Sequence, residues 1–444
     1  MISSRPFSRR SFLKGLGAAG LAAPFVTTDM LAKPPNSVLR HASFGAGGMA
    51  WEDITQFAKL KQVDIIAVAD VDLRRTANFK KRFPNARVYQ DWRELLDQEN
   101  KRLDSVNVST PDHMHAPMAM SAMELGKHVY CQKPLTHDLY ETRRLTEYAS
   151  LKGVVSQMGI QIHSTNFYRL APLIVQAGAI GKIKEVHSWV GSGWGDPDPL
   201  PEKTNPVPEG LDWDMWLGVC ASRPFIGNEY YHPVNWRKRL DFGTGTIGDM
   251  GCHIFDPVFK TLGLTAPMTV RSVGKGTNQW NWPMDCEIHY EFPGTPFTAG
   301  DKLPLTWYDG AKKPGVEVRA LLEGDDLPGA GSIFVGTQGT LVLPHVSKPL
   351  LYPDKKFKDL KLPDIAGSDH WGLYVEACLG GAKTTAGFDY AGPLAESVLV
   401  GTVAMRFPMS TLHWNAPQLA FAEAEPNAFI RRAYRDGWSV PGLC

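Results

Sequence analysis

Ser37-Val38-Leu39-Arg40-His41-Ala42-Ser43-Phe44-Gly45-Ala46-Gly47-Gly48-Met49-Ala50 is the stretch that decides the fold. It reads as a strand running into a glycine turn, and the residues on to Lys61 read as a helix. Gly45, Gly47 and Ala50 fill the three small positions of a dinucleotide-binding turn: a tight bend, close approach of backbone to a pyrophosphate, and close helix-to-sheet packing. A glycine turn without a nucleotide has the same letters, so the surroundings decide. A second strand, Asp64-Ile65-Ile66-Ala67-Val68-Ala69, ends at Asp70. That is about 20 residues past the turn, where a carboxylate accepts hydrogen bonds from the adenosine ribose hydroxyls. The same charge repels the extra phosphate of NADP and favours NAD. Arg74 and Arg75 would offset that repulsion if they faced the site; as a solvated helix face they would not.

Outward from this unit the strand–helix alternation continues. Leu103 to Thr110 is a strand ending in Ser109-Thr110-Pro111-Asp112-His113-Met114-His115, Ala116 to Leu125 is a helix, and Val129-Tyr130-Cys131 leads into Gln132-Lys133-Pro134. Successive units of this kind build a doubly wound parallel sheet whose ligands sit at the carboxyl ends of the strands. Lys133 stands at such an end, stiffened by the proline after it. The pair His113 and His115 lacks a nearby third ligand, which favours capping or packing over a metal.

Strand ends in Ser109-Thr110-Pro111 and, above all, in Gln132-Lys133-Pro134 make the chain similar to the Gfo/Idh/MocA family of NAD(P)-dependent sugar and cyclitol oxidoreductases. The similarity runs from about Val38 to Arg435-Asp436-Gly437-Trp438. It implies a cofactor surface made of Gly45, Gly47, Gly48, Met49, Asp70, Ser109, Thr110, Pro111, His115, Gln132, Lys133 and Gln161, with Lys133 also catalytic. The family's usual tripeptide is Glu-Lys-Pro, so Gln132 is a departure. It keeps a hydrogen-bonding group at the nicotinamide ribose and removes the charge.

A domain division follows: a leader at 1–34, a nucleotide domain at 35–155, and an α+β domain at 156–444 with an open, mostly antiparallel sheet. The short strands Met268 to Gly274, Cys286 to Phe292, Leu305 to Tyr308, Ile333 to Gly336 and Thr340 to Leu343 supply that sheet. Helices are expected from Asp369 to Leu379, Leu394 to Arg406 and Asn427 to Trp438. Apolar residues at 250, 254, 258 and 262 mark another helix that begins near Gly245 and sets Asp249 and His253 one turn apart on one face. Such a pair is a structural hydrogen bond, a metal half-site or an acid–base couple. The resemblance implies the last, opposite Lys133 and with no metal: His253 takes the proton, Lys133 steadies the alkoxide, and Asp249 orients the imidazole or the sugar.

The resemblance also implies that the segment after Gln161 reaches the substrate, through His163, Tyr168 and Arg169; as capping or packing groups they would stay away from it. Tyr231, Trp236 and Arg237 belong to an aromatic-rich loop suited to stacking on the apolar face of a sugar, although core burial explains many such rings equally well.

Lys and Arg number 47 against 46 Asp and Glu, a mixture that supplies no field to collect nucleic acid or an anionic membrane. The six cysteines have neither disulfide-framework nor zinc-knuckle spacing. Ser8-Arg9-Arg10-Ser11-Phe12-Leu13-Lys14 precedes a Gly- and Ala-rich apolar run from Gly15 to Val26 that is too short for a stable membrane span, the layout of a twin-arginine export signal. A periplasmic location is expected. Because that compartment supplies no nicotinamide nucleotide, the cofactor would travel bound. Turnover would then be sugar-to-sugar exchange, electron transfer to an external acceptor, or the redox-neutral cycle of an NAD-dependent glycosidase. Homodimers or homotetramers are the family's expectation.

Overall fold

The computed structural model describes residues 37–444; the expected export signal lies outside them. Six parallel strands, β1 (Leu39–Phe44), β2 (Val63–Ala69), β3 (Arg87–Tyr89), β4 (Ser105–Val108), β5 (His128–Cys131) and β6 (Ser156–Met158), form a sheet in the order β3-β2-β1-β4-β5-β6. The reversal of order beside β1 opens the crevice in which such sheets bind nucleotides. β4 is buried along its whole length, as a strand covered on both faces must be. Helix α1 (Met49–Phe57) follows the glycine turn, α2 (His115–Glu124) follows β4, and α3 (Leu139–Lys152) follows β5. Asp138 caps α3 by accepting the Glu141 N–H, and Gly153, at φ +63°, ends it in the left-handed conformation.

The second sheet has nine strands: β7 (Ile183–Val190), β8 (Thr269–Val273), β9 (Glu287–Pro293), β10 (Lys302–Asp309), β11 (Ala330–Gly336), β12 (Thr340–Pro344), β13 (Leu350–Tyr352), β14 (Thr411–Asn415) and β15 (Ala420–Phe421), in the order β13-β12-β11-β7-β10-β9-β8-β14-β15. Its pairs are antiparallel except β7 with β10. Helix α4 (Asn166–Gln176) and the long α5 (Gly245–Leu262) pack against each other, and α5 also meets β7 and β11. Its first turns point back to the carboxyl ends of the parallel strands.

Three expectations are corrected. β6 belongs to the first sheet, so the division at 155/156 falls one strand early. The C-terminal part also returns to the nucleotide domain. Helix α6 (His370–Cys378) packs on α1, its Tyr374 and Val375 joining Ile54, Phe57 and Tyr130 in one apolar cluster, and α7 (Phe388–Ala404) lies on α3. The helix expected from Asn427 to Trp438 is only a short 3₁₀ turn, Glu425–Phe429. Arg432 beyond it is spent on long-range bonds to the Cys220 sulfur and the Asp241 carbonyl, contacts that override local propensity.

Among the described residues no helix is long and apolar enough to cross a membrane, and no three His, Cys, Asp or Glu are gathered around a metal position. Five cysteines are buried and Cys444 is exposed.

Candidate active site

One cavity of about 490 Å³ runs from the glycine turn to the start of α5. Its nucleotide half is built by strand ends: Gly45, Gly47, Gly48 and Met49 after β1, Asp70 after β2, Ser109, Thr110 and Pro111 after β4, and Gln132 with Lys133 after β5. The backbone bends there in ways that need glycine. Gly45 has φ +102°, and a Cβ on it would lie 2.6 Å from the Ser109 carbonyl. No side chain caps the N-terminus of α1, and only its Trp51 and Glu52 amides are taken, by the Gly48 carbonyl, which leaves the Met49 and Ala50 amides for an anion. Asp70 accepts from the Ala46 amide at 2.8 Å and the Asp72 amide at 2.9 Å, so it braces the turn as well as lining the cavity. Burial pushes its carboxyl up to about 6 against those bonds and the Arg75 charge. Arg74 is committed to Asp72, at 2.7 Å through both nitrogens, whereas Arg75 lies over Gly47 at the cavity wall. Uncapped helix, cleared turn and ribose-side acid together fit a dinucleotide.

The other half is a charged cluster on the first turns of α5. Lys133 Nζ donates to Asp249 Oδ1 at 2.6 Å and to the Asp249 carbonyl at 2.7 Å. Trp194 Nε1 donates to Asp249 Oδ2 at 2.7 Å, and Arg237 Nε to Oδ1 at 3.2 Å. The Arg237 guanidinium lies 4.2 Å from the centre of the Trp236 ring. Burial alone would raise the Asp249 carboxyl, but the Lys133 and Arg237 charges hold it well below the usual carboxylate range. Asp249 makes no hydrogen bond to His253; its partners are Lys133, Trp194 and Arg237, so it orients the lysine and not the imidazole. His253 is buried at the cavity wall with no partner for Nδ1. Burial, then Lys133 and His345, hold its ring well below the ordinary histidine range and keep it neutral.

The cavity therefore gathers all of Gly45, Gly47, Gly48, Met49, Asp70, Ser109, Thr110, Pro111, Gln132, Lys133, Gln161, Trp236, Arg237, Asp249 and His253. Five expected residues lie off its wall. His115 is buried, with ring nitrogens 2.8 Å from the Pro134 and Thr110 carbonyls, and holds the backbone on either side of the site. His163 is closed off between Asp256 and Thr385, and Tyr168 bonds His345. Arg169 reaches the Ala366 carbonyl. Tyr231 packs among Trp213, Trp216 and Phe242. His115, His163, Tyr168 and Tyr231 are buried against these neighbours, and Arg169 is an exposed side chain turned to the Ala366 carbonyl.

Sequence reasoning missed others. Asp112 lines the cavity and accepts from Thr244 Oγ1 at 2.6 Å; burial pushes its carboxyl up to about 7 against that bond and the Arg237 and Lys133 charges. Its place directly after Thr110-Pro111 was the available signal. Trp194 and His232 also line the wall; the aromatic-rich loop around Tyr231 and Trp236 was the signal for His232, and nothing local marks Trp194. Residues 210–212 form a strap across the edge of the nucleotide half: the Leu73 amide donates to the Gly210 carbonyl and the Asp212 amide to the Val71 carbonyl, both at 2.9 Å.

Comparison with known proteins gives the same picture. The profile described as "Oxidoreductase family, NAD-binding Rossmann fold" matches residues 39–160, and "Oxidoreductase family, C-terminal alpha/beta domain" matches residues 171–279. A levoglucosan dehydrogenase of Pseudarthrobacter phenanthrenivorans is 26% identical over 43% of this chain and 40% of its own length. An alpha-N-acetylgalactosaminidase of Shewanella oneidensis is 30% identical over 32% of this chain and 36% of its own. Both matches thus span less than half of the relative. The crystal structure of GenD2 from gentamicin A biosynthesis, in complex with NAD, superposes with a TM-score of 0.58 over 88% of this chain and 99% of that one, at 18% identity, a likeness of fold.

Proposed function

Since the chain belongs to the Gfo/Idh/MocA oxidoreductase family and carries its NAD-binding domain, we propose that it oxidises or reduces a secondary hydroxyl of a sugar, cyclitol or glycoside with a cofactor that stays bound. The observation that carries this reading is the Lys133–Asp249 pair beside an unpartnered, neutral His253, at the far end of a cavity that begins at the glycine turn. Bound NAD supplies the hydride acceptor at the reacting carbon. In the oxidising direction His253 takes the hydroxyl proton, and a neutral imidazole is the form able to do so. Lys133, fixed by Asp249, donates to the oxygen as it gains charge. Trp236 and Arg237 offer an apolar face and a donor for the ring, and the strap at 210–212 supports retention of the nucleotide.

The likeness to an alpha-N-acetylgalactosaminidase supports a second reading on the same residues. Transient oxidation to a keto-sugar acidifies the neighbouring C–H, the aglycone is eliminated, water adds, and the hydride returns. Export by the twin-arginine route to the periplasm and assembly into homodimers or homotetramers complete the proposal. Nucleotide extracted from the purified protein, followed by a screen of sugars and aryl glycosides for reduced-cofactor absorbance, tests it. Net reduced cofactor supports the dehydrogenase, and aglycone release without net reduction supports the glycosidase. Protein that carries no nucleotide and works only with added NAD refutes the bound-cofactor reading.

A further inference from the structure

Gln132, an uncharged amide beside Lys133 at the cavity wall, meets an acid across the fold. Its Nε2 donates to Asp53 Oδ2 at 2.9 Å, and Asp53 stands in the middle of α1, 79 residues earlier in the chain. Asp53 is completely buried and accepts two further bonds, from Ser109 Oγ to Oδ2 at 2.7 Å and from Trp371 Nε1 to Oδ1 at 3.0 Å. The donors reach back into the sheet in one direction. His41, kept neutral by burial, has Nδ1 2.6 Å from Ser105 Oγ and Nε2 3.0 Å from Asn107 Oδ1, so its single proton belongs on Nε2 toward that carbonyl. Asn107 Nδ2 donates to Ser109 Oγ at 2.8 Å, which leaves the serine's own hydrogen for Asp53. Every proton around Asp53 thus belongs to a neighbour, an arrangement complete only when the carboxyl is an acceptor and carries its charge.

Gln132 is fixed as well as paired. Its amide lies on the backbone of Gly159, where a Cβ would come within 2.6 Å of Nε2 and 2.8 Å of Oε1. With Nε2 committed to Asp53, Oε1 is the end left for the cavity wall that Gln132 and Ser109 share.

We propose that Asp53 is a positioning residue of the nucleotide site, which supplies from helix α1 the buried negative charge absent at position 132 and turns the Gln132 carbonyl oxygen toward the nicotinamide ribose. Trp371 extends this control to α6, so the returning C-terminal segment steadies the site from behind. A carboxylate at both positions would set two like charges in contact, which cannot both stay ionised. An amide at one position and a carboxylate at the other satisfies the 53–132 contact in either order, with Ser109 Oγ, which shares Oδ2 with Gln132, turning from donor to acceptor in the exchanged pair.

The reciprocal exchange is the test. Parent, Gln132→Glu, Asp53→Asn and the Asp53→Asn/Gln132→Glu double variant are stripped of nucleotide, their folded fractions fixed by circular dichroism, and NADH affinity read by fluorescence titration. Gln132→Glu is expected to bind about tenfold more weakly than parent, and the double variant to return to within about threefold of it. Asp53→Asn, with one of its two acceptor oxygens replaced by a donor, is expected to lose affinity about fivefold, measured on its folded fraction. A Gln132→Glu protein that binds as the parent does, or a double variant no tighter than Gln132→Glu, overturns the proposal.

Discussion

Helix α5 carries two acids two turns apart, and they end in opposite situations. Asp249 faces the cavity and is held by the charged Lys133 and Arg237 and by the Trp194 indole. Asp256 is sealed inside, accepts from Tyr390 at 2.7 Å, and sits 2.8 Å from His163 Nδ1, whose other nitrogen lies 3.1 Å from Thr385. Each acid has a histidine nearby. His253 beside the first lines the cavity and has a buried Nδ1 without a partner, whereas His163 beside the second has both ring nitrogens occupied. The proposed chemistry uses the cluster with hydrogen-bonding capacity to spare; the other cluster holds α5 to the segments around it.

The comparison is sharpened most by Lys133→Ala. Turnover is expected to fall by about 10³-fold, the scale of losing a preorganised donor to a developing oxyanion, with NADH affinity within about threefold of parent. A variant that turns over normally would abolish the contrast.

His253→Gln is expected to lower kcat by about 10²- to 10⁴-fold. The parent also makes a pH prediction. Because burial and Lys133 hold His253 below its ordinary range, its protonation should add no step in activity as pH falls through about 6.5, the unperturbed value, apart from any step due to Asp112, whose carboxyl burial pushes up to about 7. A titration centred there would assign the proton to another group.

Asp249→Asn should be felt in stability as well as rate. Its folded carboxyl titrates below the unfolded one, so the stabilisation is present above about pH 4 and is lost as pH falls further, through the folded value. Urea unfolding of the variant is expected to show a deficit of about 3 kcal/mol at neutral pH, where one partner of a buried pair is missing. The deficit should shrink in strong acid; an unchanging one would mean that packing, not charge, is responsible.

His163→Gln, at the sealed cluster, has the smallest catalytic effect. It is expected to cost about 1–3 kcal/mol of stability for the bonds it disturbs and to leave kcat/KM within about threefold. A larger kinetic loss would put Asp256 on the same footing as Asp249.

Much of this was legible because it is local. The glycine turn, Asp70 at the next strand end, Ser109-Thr110-Pro111, and Lys133 before a proline are short-range patterns, and all of them reach the cavity. The four-residue spacing of Asp249 and His253 put both on one wall. It could not give their partners: the spacing left a structural hydrogen bond, a metal half-site and an acid–base couple open, and the acid took Lys133 from 116 residues away. For the same reason sequence could not tell that His163 and Tyr168 lie off the cavity wall. A polar residue near a binding segment looks alike in sequence whether its bonds are filled by Asp256 and His345 or left open for a ligand.

The amino-acid sequence by itself determined the parallel nucleotide-binding sheet, the turn that receives the dinucleotide, and the residue types able to move a proton and a hydride. Those properties follow from backbone freedom at glycine, from hydrophobic periodicity and from side-chain chemistry, all of which act over a few residues. Only the tertiary structure decided which acids are charged, which histidine is free, and what stands behind Gln132. Charge and hydrogen-bond satisfaction depend on burial and on groups far along the chain, and contact between α1, α6 and the β5 strand end exists only once the chain has returned on itself.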